Sequence, residues 1–205
     1  FSAQWALKNT GQNQGTAGID INYLPAREVT QGSSDIIVAV LDHGTQLDHP
    51  DLNVSSKSYD TETGRSPSQI WGNHGTACSG IISAKTNNNL GVAGIAPNCP
   101  VMSISNQLMG TSDAPQKRAD GFNWAWRNGA SVISNSWRSS TFSELLEDAI
   151  QSAMTNGRNG LGCVVTFSAG NYDSNTVGYP ARSLPDIIVV GALSLSGKRK
   201  SSTTI

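Results

Sequence analysis

The sequence predicts an α/β fold of three layers, with a parallel sheet lying between helices on both of its faces. Two observations carry the prediction. Five short apolar stretches read as buried strands, and helical patterns lie between them. Strands buried on both faces that alternate with helices build parallel sheets, because each crossover must bring the chain back to the same end. The length of 205 residues adds a third, since it suits one domain with a sizeable core.

The elements follow in order. The first 32 residues are polar and glycine-rich, with one helical candidate at Tyr23–Thr30. Ile36–Leu41 is apolar without alternation, which is the pattern of a strand covered on both faces. Gly75–Ala84 is a helical stretch of small and apolar residues, and Val101–Ser105 is the second strand. Lys117–Trp126 is helical and carries Phe122, Trp124 and Trp126; Val132–Ser136 is the third strand. Glu144–Asn156 sets Leu145, Leu146, Ala149, Ile150, Ala153 and Met154 on one stripe, the mark of an amphipathic helix. Thr141 and Glu144 have capping-box spacing at its start, and Gly157 stands where a C-cap is expected. Cys163–Ser168 and Ile187–Gly191 complete the strands.

Composition excludes several functions. With 14 basic and 15 acidic residues the net charge is −1, so the basic face of a nucleic-acid binder is missing. The basic cluster Lys198-Arg199-Lys200 reads as a solvated turn. The longest apolar run, Ile36–Leu41, falls far short of the roughly 20 residues that span a bilayer, so no membrane partner is expected. Low charge with abundant Gly, Ser, Thr and Asn describes a compact, loop-rich protein of the kind that is secreted, although no signal peptide is visible at Phe1. Cys78, Cys99 and Cys163 have no metal-site spacing, and one disulfide with a free thiol and three reduced thiols both remain open.

In parallel sheets ligands bind beyond the carboxyl ends of the strands, so chemistry is sought there. The first strand ends in Asp42-His43-Gly44, and a carboxylate at the mouth of a buried strand needs a charged or hydrogen-bonding partner. Thirty-two residues later His74-Gly75-Thr76-Ala77-Cys78 opens a helix, with Gly75 and Ala77 allowing close approach of other backbone. The strand Cys163–Ser168 runs into Ser168-Ala169-Gly170-Asn171.

Together these three segments resemble the subtilisin-like serine proteases, the subtilases, in the order Asp then His. His49-Pro50-Asp51-Leu52, Gly91–Pro97 and Gly178-Tyr179-Pro180-Ala181 extend the resemblance, which runs from Gln4-Trp5 to Ser201-Ser202. Cys78 and Asn135-Ser136-Trp137 are nearer the kexin and proteinase K branches. The resemblance implies that Asp42 orients His74, that His74 is the general base and then the general acid, and that Asn171 donates to the oxyanion. It implies a substrate-binding segment of Ser136, Trp137, Arg138, Gly170, Tyr179 and Pro180, on which a peptide or protein substrate adds a strand near Ser136. It also implies secretion. His43, Asn73 and Arg138 depart from the residues usual at their positions, and Arg138 is expected to crowd or recharge the substrate site.

The family's nucleophile lies in Gly-Thr-Ser-Met-Ala after the oxyanion Asn, and no such motif follows Asn171. Gly110-Thr111-Ser112-Asp113-Ala114 is close in letters, but it precedes Asn171 and reads as a surface turn. Residues 1–205 therefore look like the N-terminal portion of a subtilase catalytic domain, C-terminally incomplete and inactive alone, completed by a missing C-terminal segment or a second chain. A pseudoprotease, or a peptide-binding module on the same fold, is the alternative.

Thr86-Asn87-Asn88-Asn89-Leu90-Gly91-Val92 resembles the family's calcium loop. The implied ligands are Asp51, Asn88 and the carbonyls of Thr86, Leu90 and Val92, with Gln4, a set of oxygens that suits structural Ca²⁺. A different metal reading uses the run Asp42, His43, Asp48, His49 and Asp51 as transition-metal ligands.

Overall fold

The computed structural model describes residues 2–172 and 175–199. At its centre is a six-stranded sheet of β1 Ile37–Asp42, β2 Tyr59–Asp60, β3 Val101–Ser105, β4 Ala130–Asn135, β5 Val164–Ser168 and β6 Ile188–Val190. The order is β2-β3-β1-β4-β5-β6 and every pairing is parallel. All carboxyl ends therefore lie along one edge, and β1 sits where the chain divides between the two halves of the sheet. That is where an open α/β sheet forms its ligand crevice.

Three helices cover the sheet, α2 His74–Ser83, α3 Ala114–Arg127 and α4 Glu144–Gly160, while α1 Tyr23–Val29 packs apart from it, with Tyr23 buried against Leu7 and Ala93. α3 and α4 pack together on one face. The strands send Ala39, Leu41, Met102, Ile104, Ile133, Val165 and Phe167 to that face, where they meet Phe122, Leu146 and Ile150. Each such large side chain contributes roughly 1.5–3 kcal/mol on burial. The intervening residues Val38, Val40, Val101 and Ser103 point the other way, beneath α2. The seam there is polar: the Thr45 amide donates to Ser103 Oγ at 2.9 Å, and Ser79 of α2 shares a 2.7 Å hydrogen bond with Thr45 Oγ1. Small residues Gly75, Ser79, Gly80 and Ser83 let α2 approach closely.

The three-layer reading holds, with several corrections at element ends. β2 has only two residues and no sequence pattern to announce it. β4 begins at Ala130 and stops at Asn135, so Ser136 lies beyond the strand. Thr141 does not cap α4. Its amide and carbonyl are both engaged by Ser139 Oγ, and the helix, which starts at Glu144 as expected, is capped by Ser143, whose Oγ accepts from the Leu146 amide at 3.3 Å. Gly157 does end the regular helix, turning to φ −59°, ψ 161° before the left-handed Arg158 and Asn159. All three cysteines are free thiols. Lys198 closes an exposed turn with Ser194, while Lys200 and Ser201-Ser202 lie outside the described residues. Among the described residues no helix is long and apolar enough to cross a membrane.

Candidate active site

Asp42 is the last residue of β1 and is 1% exposed. Gly44 turns the chain at φ +91°, a conformation open to glycine, and any side chain there would strike the Gln69 carbonyl. A Cβ on Gly75 would in turn run into the Gly44 carbonyl. These two glycines seat the first turn of α2 against the end of β1. His74, the first residue of α2, consequently places Nδ1 2.9 Å from each Asp42 oxygen. The His43 amide donates to Asp42 Oδ1 at 2.7 Å, so the buried carboxylate is met by two N–H donors. With Nδ1–H committed to Asp42, Nε2 is left as the basic nitrogen of a ring whose side chain is 52% exposed.

The neighbours of the pair are well defined. The His43 ring stands edge-on to His74 at 6.2 Å and rests against Gly72, while its carbonyl accepts from the Trp71 amide at 2.7 Å. Trp71 is tied behind the site to Asp60, which is fully buried. Burial works to raise the Asp60 carboxyl pKa, but hydrogen bonds from Trp71, Thr63 and Ser105 together hold it below the usual value. Asp60 was not legible in advance, because β2 has no pattern of its own. One turn along α2, Cys78 Sγ lies 3.7 Å from His74 Nδ1 and 3.9 Å from Ser136 Oγ. Burial first, and the Asp42 charge second, push this thiol above its ordinary 9.0.

Beyond β4 and β5 the same sheet edge holds a cavity of about 310 Å³ lined in part by Arg138, Gly170, Tyr172, Gly178, Tyr179 and Arg182. Asn171, between two lining residues, is exposed at its rim. β5 is two strands from β1, so the carboxyl ends of these two strands stand about 10 Å apart across the sheet. Of the anticipated substrate residues, Arg138, Gly170 and Tyr179 line the cavity and exposed Ser136 stands beside Cys78. Trp137 does not join them. Its ring is buried in the core, edge-on to Phe167 at 5.0 Å, because successive residues of an extended chain point to opposite sides. Pro180 is buried and is absent from the cavity wall. Ser112 lies in an exposed turn before α3.

The anticipated calcium residues come together. Asp51, 4% exposed, accepts the Asn88 amide at 2.7 Å, and the Leu90 amide donates to Asn88 Oδ1 at 3.1 Å. A Cβ on Gly91 would run into Asp51 Oδ2, so glycine lets the loop close on the carboxylate. Gln4, Thr86, Asn88, Leu90 and Val92 line one cavity of about 300 Å³, with Gln4 pinned to both backbone groups of Ala93 at 2.8 and 3.0 Å. A buried carboxylate beside a loop of amide and carbonyl oxygens suits a hard cation, and binding one would require Asn88, whose N–H now meets Asp51, to turn its oxygen inward. The competing run does not gather: Asp42 is engaged by His74, Asp48 accepts from Gln46 and His49 Nδ1 accepts from the Asp51 amide. Among the described residues the one group of metal-ligating type is Asp42, His74 and Cys78.

The chain is 32% identical over 229 residues to the calcium-dependent protease of Nostoc sp. (strain PCC 7120 / SAG 25.82 / UTEX 2576), covering 98% of this chain and 33% of that protein. It is 34% identical over 197 residues to the thermophilic serine proteinase of Bacillus sp. (strain AK1), covering 94% and 47%. Subtilisin E of Bacillus subtilis (strain 168) is 34% identical over 174 residues, covering 82% and 43%. The chain thus spans between a third and a half of these relatives' length. Among solved structures, the prenylagaramide maturation protease PagA superposes with a TM-score of 0.68 at 24% identity, over 90% of this chain and 63% of that one, a likeness of fold. Residues 33–205 match the Subtilase family, Peptidase S8, and with the Asp42–His74 pair at the sheet edge the chain belongs to that family.

Proposed function

We propose that this chain carries the acid–base pair and oxyanion donor of a serine endopeptidase of subtilisin type, as the N-terminal portion of its catalytic domain. The observation that carries the reading is the 2.9 Å contact between His74 Nδ1 and the buried Asp42 carboxylate. Asp42 holds the ring in the tautomer that leaves Nε2 basic, and its charge stabilises the imidazolium that forms. Nε2 takes the proton of a serine hydroxyl as its oxygen attacks the scissile carbonyl, then returns that proton to the departing amine. Asn171 donates its side-chain amide to the oxyanion; in the subtilisins themselves such a donor is worth roughly 3 kcal/mol. Water then opens the acyl-enzyme, with His74 again as base. The attacking serine comes from a segment outside residues 1–205, and these residues alone form no acyl-enzyme. Exposed Ser136 offers backbone on which the substrate adds a strand.

Asp51, Asn88, Gln4 and the carbonyls of Thr86, Leu90 and Val92 are proposed to hold a structural Ca²⁺, which would neutralise the buried carboxylate and brace the loop. Two relatives named calcium-dependent proteases support this assignment. Secretion is in keeping with the family resemblance.

The test is hydrolysis of a denatured protein by the full-length protein and its His74→Ala variant. Hydrolysis by the parent, falling at least about 10³-fold in the variant, is expected. Undiminished hydrolysis in His74→Ala would overturn the assignment, and a folded protein that binds peptide without cleaving it would be a peptide-binding module.

A further inference from the structure

We infer that the cavity beside Asn171 is a specificity pocket for an acidic side chain, so that cleavage follows glutamate or aspartate. This rests on the protease reading above, and deepens it to a substrate class.

Two arginines, Arg138 and Arg182, line the cavity, and no acidic residue among the described residues does. Neither arginine is ion-paired with a described carboxylate. Arg138 is held in a definite position. Its guanidinium carbon lies 3.7 Å from the centroid of the Tyr172 ring. Its stem runs along Gly178, where a Cβ would sit 3.4 Å from Arg138 Cβ and 3.5 Å from its Cδ. A guanidinium laid on a ring keeps its N–H groups in plane and free for a bidentate carboxylate. Being already placed, it loses less freedom when the ligand arrives.

Two hydroxyls of the wall are committed elsewhere. Ser139 Oγ donates to the Thr141 carbonyl at 3.0 Å, and Tyr179 OH donates to the Ser143 carbonyl at 2.9 Å. The arginines therefore set the electrostatic character of the pocket. A volume of about 310 Å³ accommodates one side chain. A leucine or phenylalanine placed there would cover the guanidinium groups without offering them an acceptor, which is costly.

The experiment uses the full-length protein and matched fluorogenic peptides that differ only before the scissile bond, as Glu, Gln or Leu. All are amidated, so that a terminal carboxylate does not supply the same chemistry. The Glu peptide is expected to exceed the Gln peptide in kcat/KM by about tenfold or more. That ratio should shrink in about 1 M salt and fall to within about twofold in Arg138→Gln. Equal or better cleavage of Gln or Leu, or a ratio unchanged in Arg138→Gln, would overturn the inference while leaving the protease reading intact. If the folded protein cleaves neither these peptides nor a denatured protein, the protease reading fails, and calorimetric titration with the same Glu and Gln peptides decides the pocket. An about tenfold tighter Glu peptide, with the preference lost in Arg138→Gln, supports it, and equal affinities overturn it.

Discussion

Asp42 ends a strand that is apolar up to that point, and a carboxylate so buried persists only where donors meet it. The donors are the His74 ring and the His43 amide, so the residue that looks least favourable in the strand is the one that organises the site. The same charge reaches Cys78, whose thiol pKa burial and Asp42 both raise. A raised thiol pKa keeps Cys78 protonated and slow to react at neutral pH, with reactivity appearing as pH climbs through it. Alkylation of Cys78 by iodoacetamide, followed by peptide mapping against pH, should therefore show a midpoint above 9.0 in the native protein. Asp42→Asn should move that midpoint down while lowering hydrolysis by the full-length protein roughly 10⁴-fold. An unmoved midpoint would contradict the placement of the carboxylate beside the thiol. The meeting of Asp42 and His74 was legible because one ends a recognisable strand and the other opens a helix. The Trp137 ring turns into the core and not toward the cavity, since identity within a motif says nothing about which way the side chain of an extended residue points.

At the scale of elements, legibility follows how much burial each one needs. β1 is covered on both sides and is apolar up to Asp42, so it stands out, while β3 is as fully buried and carries Ser103 and Ser105 only because Thr45, Ser68 and Asp60 hydrogen-bond them. β2 is a two-residue edge pair between Tyr59–Asp60 and Ile104–Ser105, held by backbone bonds that any sequence supplies. The cap of α4 differs from the expected Thr141 because two hydroxyls compete there: Ser139 captures the backbone of Thr141, and Ser143 takes the cap. The 86–92 loop was readable from its oxygens, and its geometry yields a direct prediction. Calcium at about a hundredfold above its Kd should raise the melting temperature by roughly 5–10 °C over the same protein in EDTA. Asp51→Asn should remove most of that difference. Equal melting temperatures with calcium and with EDTA would remove the cation from the account.

At the scale of the molecule, the sheet is covered unevenly. α3 and α4 close one face over a continuous core, while α2 on the other face lies against β1 and β3. On α2's side of the sheet, Val164, Ile188 and Val190 of β5 and β6 are 39%, 51% and 56% exposed. Bare β-branched residues in a parallel sheet are unusual, because both faces of such sheets are ordinarily covered. This surface adjoins the edge that holds Asp42 and Asn171, and the proposal places the serine-bearing segment over it. The most direct test is fluorophosphonate labelling of the full-length protein with mapping of the labelled residue, run beside His74→Ala. The account predicts label on one serine outside residues 1–205, lost in the variant. Label on Ser112, or none on folded full-length protein, would contradict it.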